Sequence, residues 1–375
     1  MSNNPRRILL AVTGLSPQIL TETLYALGTE DVAVGKTRFI PTEVHIITTA
    51  SGAKLAKAAL LHPDGGQFHA LLADYPQLGN PVFNDEHIHI IQNTEGQFLS
   101  DIRSPAENAS AADSITALMS KLTRDEKTQL HVSIAGGRKT MGFYLGYAFS
   151  LFARPQDELS HVLVSGPFES HPEFFFPPAK PKRLGTRDGQ HIDTADATIT
   201  LARIPVVRLR HGQPQALLDG KASFGDTVAT IQKSLDPASL HIDLVEKQVL
   251  CGGISVKLPP AQLAWLAWWA QNALRQQAMQ DWRCDYQDSF LRLYRHIVTE
   301  DAEAYEKAKS RIADHMEKEF FQENNAKLER QLKQQLGQAA TPYLLASSGK
   351  RPNTKRGLSL SPQAITLITQ ASDAA

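Results

Sequence analysis

Over its first 165 residues the chain alternates strand-length apolar runs with helical segments, and this alternation constrains the fold more than any other feature. "RRILLAVTG" is apolar without a break, as expected of a parallel strand buried on both faces. "SPQILTETLYALG" follows, with Ser16 as the expected N-cap, Pro17 in the first helical position and Gly28 at the stop. "TEVHIITTA", "EHIHIIQN", "QLHVSIAGG" and "LSHVLVSG" read as further strands. Between them lie helical stretches; in the one opening at Ser104, Ile115, Leu118, Met119 and Leu122 share a face. Such an order predicts an open, mostly parallel α/β sheet with helices on both sides, in which ligands bind beyond the carboxyl ends of the strands.

Past residue 166 the texture changes. "PFESHPEFFFPPAKPKR" holds five prolines and four phenylalanines, so it is a loop or an edge hairpin. Aromatic plugs covering the sheet edge are the expected role there, ahead of base stacking. "ATITLARIPVVRL" carries strand signals and "GDTVATIQKSL" helical ones, in an otherwise irregular connector. "LVEKQVLCGGISVKLPPAQLAWLAWWAQNAL" then predicts a hairpin with a glycine turn and a helix starting at Pro259–Pro260, with Trp265, Trp268 and Trp269 at core spacing. Helices follow near 285–297 and 301–336, the last solvated on one side, and "PYLLASSGKRPNTKRGLSLSP" reads as two short strands joined by a basic loop. Hairpin, helices and basic-tipped hairpin is the order of a winged-helix domain, an analogy of fold that carries no function by itself.

At 375 residues two domains are expected. The formal net charge is zero, so no global basic field draws nucleic acid, and any anion site must be local. Cys251 and Cys284 have neither metal-ligand nor disulfide spacing, no signal peptide opens the sequence, and no apolar window is long enough to span a bilayer. A cytoplasmic protein with no cofactor is expected. The histidines show no metal-ligand spacing: His87 and His89 alternate on a strand, and His161 and His171 stand apart, so no metal is expected.

The chemistry-bearing residues sit in three strand-to-helix turns. In "GGRKTMG", Gly136 and Gly137 permit close backbone approach, and Arg138, Lys139 and Thr140 open a helix. Cations are unfavourable at the positive end of a helix, by about 0.3–1 kcal/mol each. Two of them, with no carboxylate nearby in the sequence, suggest an anionic ligand; the alternative is a tight turn with two solvated cations. The spacing is neither that of a P-loop nor G-x-G-x-x-G. "AVTGLSPQ" supplies Thr13, Gly14, Ser16 and Gln18, and "ITTASG" supplies Thr48, Thr49 and Ser51 to the same edge. Small polar residues with two cations suit a sugar–phosphate backbone. No G-x-S-x-G elbow is present, and Arg292, Arg295 and His296 are too closely spaced for the Arg/His motif of HEPN ribonucleases, as are Arg311 and His315.

"TGLSPQILTETLYAL" and "SIAGGRKTMGFYLGYA" resemble the CARF domain, the CRISPR-associated Rossmann-fold sensor of cyclic oligoadenylates. More narrowly, the chain is similar to stand-alone CARF proteins with a C-terminal winged helix, among them ring nucleases. The resemblance implies a Rossmann-like CARF domain over 1–205, a connector over 206–240 and a winged-helix-like α+β domain over 241–375. It also implies a homodimer whose two pockets form one two-fold site for cyclic tetra-adenylate. By the same resemblance Ser16 and Lys139, with Arg138, assist cleavage; from their place in the three turns, Thr13, Gly14, Gln18, Thr48, Thr49, Ser51, Gly136, Gly137 and Thr140 are expected to bind the ligand. Metal-free attack of a ribose 2′-hydroxyl would yield linear di-adenylate with a 2′,3′-cyclic phosphate. Two other readings stay open: a non-catalytic sensor whose winged helix binds DNA through Lys350, Arg351, Lys355 and Arg356, or an effector that cuts RNA when the ligand binds. For that basic run, a solvated hairpin tip is the competing explanation.

Overall fold

The structure, a computed structural model, describes residues 5–32, 35, 37–233, 236–277, 279–298, 302–314, 317–350 and 353–370. Arg351 and His315 lie outside them. The chain forms two compact units, one of residues 1–211 with 218–225, the other of 212–217 with 226–375.

The amino-terminal unit runs β1 (Arg7–Val12), α1 (Gln18–Thr29), β2 (Glu43–Thr48), α2 (Ala50–Leu60), α3 (Gln67–Asp74), β3 (Ile88–Ile90), α4 (Pro105–Leu122), β4 (Gln129–Ser133), α5 (Lys139–Phe152) and β5 (Glu158–Val164). A small hairpin, β6 (Arg183–Gly185) with β7 (His191–Asp193), and β8 (Ile199–Arg203) follow. The main sheet has the order β3-β2-β1-β4-β5-β8, parallel from β3 to β5, with β8 antiparallel at the edge. This bears out the expected Rossmann-like α/β class. Leu9 and Ala11 of β1 join α1, α2 and α3 in one core. Ile8 and Leu10 alternate with them and are equally buried, and α5 packs on β1 beside α4. A strand buried on both faces must be apolar at every position, which is why β1 shows no alternation.

The order of strands reverses between β1, followed by β2, and β4, followed by β5. A crevice opens where the crossovers diverge to opposite faces. Helix α4 starts on a capping box: Glu107 N–H donates to Ser104 Oγ (3.2 Å), and Ser104 N–H to Glu107 Oε2 (2.8 Å). The expected cap on α1 is corrected. Pro17 itself occupies the N-cap position without a side-chain bond, and Ser16 lies outside the helix and exposed. The aromatic segment acts as a plug. Phe168 and Phe174 bury against Leu184, Phe176 enters the β1–β2 core, and Thr21 Oγ1 of α1 donates to the Phe175 carbonyl (2.8 Å).

In the stretch of sequence where the division between the units falls lie α6 (Gln215–Leu218) and α7 (Phe224–Lys233). The carboxy-terminal unit contains β9 (Leu240–Asp243), β10 (Gln248–Cys251), β11 (Ile254–Ser255), α8 (Pro260–Leu274), α9 (Gln287–Ile297), α10 (Ala302–Asp314), α11 (Glu317–Leu336), β12 (Leu345–Ser348), β13 (Lys355–Leu358) and β14 (Ile365–Ile368). Strand β14 pairs parallel with β9 and completes a four-stranded sheet, while β12 and β13 form a separate antiparallel ribbon. Trp265, Trp268 and Trp269 are core residues, packed with Phe290, Phe320 and Phe321. Burial pushes the Cys251 thiol up to about 12 and the Cys284 thiol up to about 11, so neither is a ready thiolate. Among the described residues no helix is long and apolar enough to cross a membrane.

Candidate functional site

Three turns meet beyond the carboxyl ends of β1, β2 and β4. A β-carbon built on Gly14 would lie 3.0 Å from Gly137 Cα, and one on Gly136 would lie 2.6 Å from the Val12 carbonyl oxygen. One on Gly52 would lie 2.7 Å from the Gly14 carbonyl oxygen and 2.1 Å from Thr48 Oγ1. Side chains at these positions would force the turns apart, so the glycines fix the spacing of the site. Gly137 also holds φ at +78°, where a side chain is strained.

The turns border a cleft of about 590 Å³. Of the residues singled out in the sequence, Gly14, Ser16, Gln18, Thr49, Ser51 and Arg138 line it, with the backbone of Gly136 and Gly137. Thr13 and Thr48 are buried behind this lining, and both Oγ1 atoms lack a hydrogen-bond partner. Thr49 caps α2, accepting from Gly52 N–H (3.3 Å), so it has a structural duty as well. Gln18 donates from Nε2 to the Pro172 carbonyl (3.3 Å) and keeps a buried, unpartnered Oε1. Lys139 and Thr140 occupy the first turn of α5, exposed and outside the lining.

The expectation that Arg138 has no carboxylate to pair with is wrong in space. Asp101, 37 residues upstream, takes the guanidinium in a two-pronged pair, with Nε to Oδ1 at 3.1 Å and a closer contact from Nη2 to Oδ2. The loop that carries Asp101 is fastened by Ala50 N–H donating to the Leu99 carbonyl (2.8 Å) and by Ser51 N–H donating to the Ser100 carbonyl (3.4 Å). Arg138, then the Ile102 N–H and Arg103, hold the Asp101 carboxyl well below the usual carboxylate range. Arg138 therefore reaches the cleft with its charge oriented by Asp101.

Sequence reasoning also missed Glu22, in the second turn of α1. It is 5% exposed, lines the cleft, and has no hydrogen-bond or ion-pair partner among the described residues. Burial, with Glu169 adding a like charge, raises its carboxyl to about 7. The signal was present as a lone carboxylate in an otherwise uncharged helical run, "QILTETLYAL", but exposure could not be read from it.

The reading of the histidines as unclustered is also corrected. Parallel pairing of β2 with β3 brings His45 Nδ1 to 2.9 Å from His89 Nε2, and the His45 and His87 rings touch edge to face. Donor atoms of Glu43, His45 and His87 lie within 4.8 Å of one another. The group sits at the start of β2, away from the carboxyl-edge cleft. Arg6 takes both oxygens of Glu43 (2.7 and 2.6 Å), and His45 Nε2 lies 3.3 Å from Glu43, so these groups already satisfy one another. Burial lowers His45 and His89 to about 4 each.

In the carboxy-terminal unit, Lys350 and Lys355 are exposed on the β12–β13 ribbon, whereas Arg356 is paired with Glu329 at 2.7 Å. Arg295 lies over the Tyr305 ring, 4.7 Å from its centroid.

Comparison with known proteins adds one decisive observation. The family model described as CRISPR-associated protein NE0113 (Cas_NE0113) matches residues 16–237, more than half of the chain. The chain belongs to this CRISPR-associated family. Its match begins at Ser16 and takes in the Gly136–Arg138 turn and Glu22. No curated protein matches. Among solved structures, the chain is similar to Enterococcus italicus Csm6 bound to cyclic hexa-2'-fluoro-hexa-dAMP, at 10% identity and a TM-score of 0.26. That likeness covers 82% of this chain and 54% of the Csm6 chain, so the chain spans about half the length of that relative.

Proposed function

We propose that this CRISPR-associated protein is a CARF-type ring nuclease. In this reading a homodimer binds cyclic tetra-adenylate across two clefts and cleaves it, without a metal, to linear di-adenylate, switching off antiviral signalling. The observation that carries the reading is the meeting of three glycine-tightened turns at the β1–β4 switch point, with Arg138 and Ser16 facing one cleft, in a chain of a CRISPR-associated family. A helix N-terminus, unpaired backbone N–H groups and an oriented guanidinium suit phosphate, and the volume suits nucleotides.

The chemistry needs only positioning and charge. The ribose O2′ attacks the adjacent phosphorus, the O2′–P bond forms and the P–O5′ bond breaks. The 2′-hydroxyl proton is released, and the departing 5′-oxygen takes one up. Two such events turn the ring into two linear di-adenylates ending in 2′,3′-cyclic phosphate. Ser16 and the N–H groups of Gly136 and Gly137 would seat the phosphate beside Arg138. Lys139, exposed in the first turn of α5 next to Arg138, would offset charge on a ring that crosses from one protomer to its partner.

Titration of the full chain with cyclic tetra-adenylate tests the binding half of the proposal. Saturation is expected at one ring per two chains, with Arg138→Ala weakening affinity at least tenfold. Absence of binding, or saturation at one ring per chain, would contradict it. The second reading, a sensor that passes ligand binding to DNA, has the exposed Lys350 and Lys355 in its favour. It predicts duplex affinity that falls steeply with salt and changes when the ring is added.

A further inference from the structure

An anion-binding cleft is a poor place for an unpaired buried carboxylate, yet Glu22 is there, 5% exposed and without a partner. A buried acid must be neutral, paired or solvated. No cation pairs with it: the titratable and charged residues lining the cleft are Glu22, Glu169, His161, Asp101, Arg103 and Arg138. Asp101 already occupies the Arg138 fork and binds Arg103 Nε (3.1 Å). Of the elements packed on α1, β5 contributes His161 to the lining, whereas β8 and α3 contribute no charged group. Arg203 of β8 is spent on Glu30 and Glu158.

Resting on the proposed function, we propose that Glu22 reads the adenine base, donating from its protonated carboxyl to a ring nitrogen while accepting from the exocyclic N6 amino group. A neutral carboxyl presents one donor beside one acceptor, which matches the N6–H of adenine with N1 or N7. An ionised carboxylate presents two acceptors, which match the N1–H and N2–H of guanine. The protonation state of Glu22 therefore selects the base, and ring phosphates nearby favour the neutral form further. A general-base role for Glu22 makes the opposite demand, an ionised carboxylate facing a hydroxyl.

With the carboxyl titrating at about 7, adenine binding is lost as pH rises through that value, because only the protonated fraction is competent. Two such carboxyls face each ring in the dimer, so affinity at pH 8.5 is expected to be roughly thirtyfold weaker than at pH 6 for one required carboxyl and about 900-fold weaker when both are required, from the change in that fraction.

The test uses full-length protein and 2′-deoxy cyclic tetra-adenylate, which lacks the attacking hydroxyl and cannot be turned over by this route, with the guanine ring as competitor. Wild type should show the pH step and prefer adenine most strongly at low pH. Glu22→Gln, which presents a permanent donor and acceptor, should bind the adenine ring with a flat pH profile and exceed wild type at pH 8.5. Glu22→Ala should bind weakly throughout, and the step should persist in His161→Gln. A flat wild-type profile, or loss of adenine binding in a Glu22→Gln protein that melts normally, overturns the assignment. So does normal binding by Glu22→Gln with cleavage of the ribose ring abolished, which would make Glu22 a base. If wild type binds no ring at any pH, the functional reading itself falls and this assignment with it.

Discussion

At the scale of the residue, the amino-terminal unit carries titratable groups held away from their ordinary state by burial, and their signs oppose one another. His131 is fully buried, its Nε2 2.7 Å from Ser160 Oγ, its Nδ1 without a hydrogen-bond partner and 3.7 Å from the Glu158 carboxylate. Burial lowers it to about 4, as it does His45 and His89. Each is neutral in the folded state while the unfolded chain takes up protons below about 6.5, so stability falls as pH drops from there towards 4. Glu22 works against this, because a folded value raised to about 7 costs stability as pH rises above the unfolded value. Three groups outweigh one. Urea denaturation should show a net loss of about 3 kcal/mol between pH 7 and pH 5. His131→Gln should lose about 1–2 kcal/mol less over the same interval, whatever its absolute stability. An unchanged slope would contradict this, because it would mean that His131 binds its proton equally in the folded and unfolded chain.

At the scale of the element, turn backbones and one helix contact decide the outcome. Gly136→Ala would push a methyl group to 2.6 Å from the Val12 carbonyl oxygen, backbone against backbone, so the turns must separate. About 1–3 kcal/mol of stability should be lost, and ring affinity should fall more than tenfold even in protein that remains folded. Normal affinity would mean that the turns do not set the site. In the carboxy-terminal unit, Asn325 of α11 accepts from Trp265 Nε1 (2.8 Å) and Trp269 Nε1 (3.1 Å) of α8. Asn325→Leu would strand two buried indole N–H groups, at about 1–3 kcal/mol each, and thermal melting should register it. These elements were largely legible in the sequence. Parallel strands buried on both faces show as unbroken apolar runs, and Pro259–Pro260 marks the start of α8. What a one-dimensional pattern cannot carry is pairing across distance. Asp101 beside Arg138, His45 beside His89, and β14 beside β9 each depend on register between segments far apart in sequence. The cap on α1 failed for a local reason: Pro17 took the N-cap position and left Ser16 outside the helix.

At the scale of the whole molecule, the glycines and hydroxyls of three turns, the oriented Arg138 and the buried Glu22 all belong to the amino-terminal unit, within the span of the CRISPR-associated family match or at its border. The cations of the β12–β13 ribbon belong to the other unit, and one of them is already paired. The central claim is that this chain consumes the ring as well as binding it. Chelator-treated protein incubated with cyclic tetra-adenylate, with products separated and weighed by mass spectrometry, tests this directly. Linear di-adenylate with a 2′,3′-cyclic phosphate is expected, slowed about 10²–10³-fold in Lys139→Ala and slowed also in Ser16→Ala. Intact ring, bound tightly but unchanged after many hours, would contradict the claim and leave a sensor in place of a nuclease.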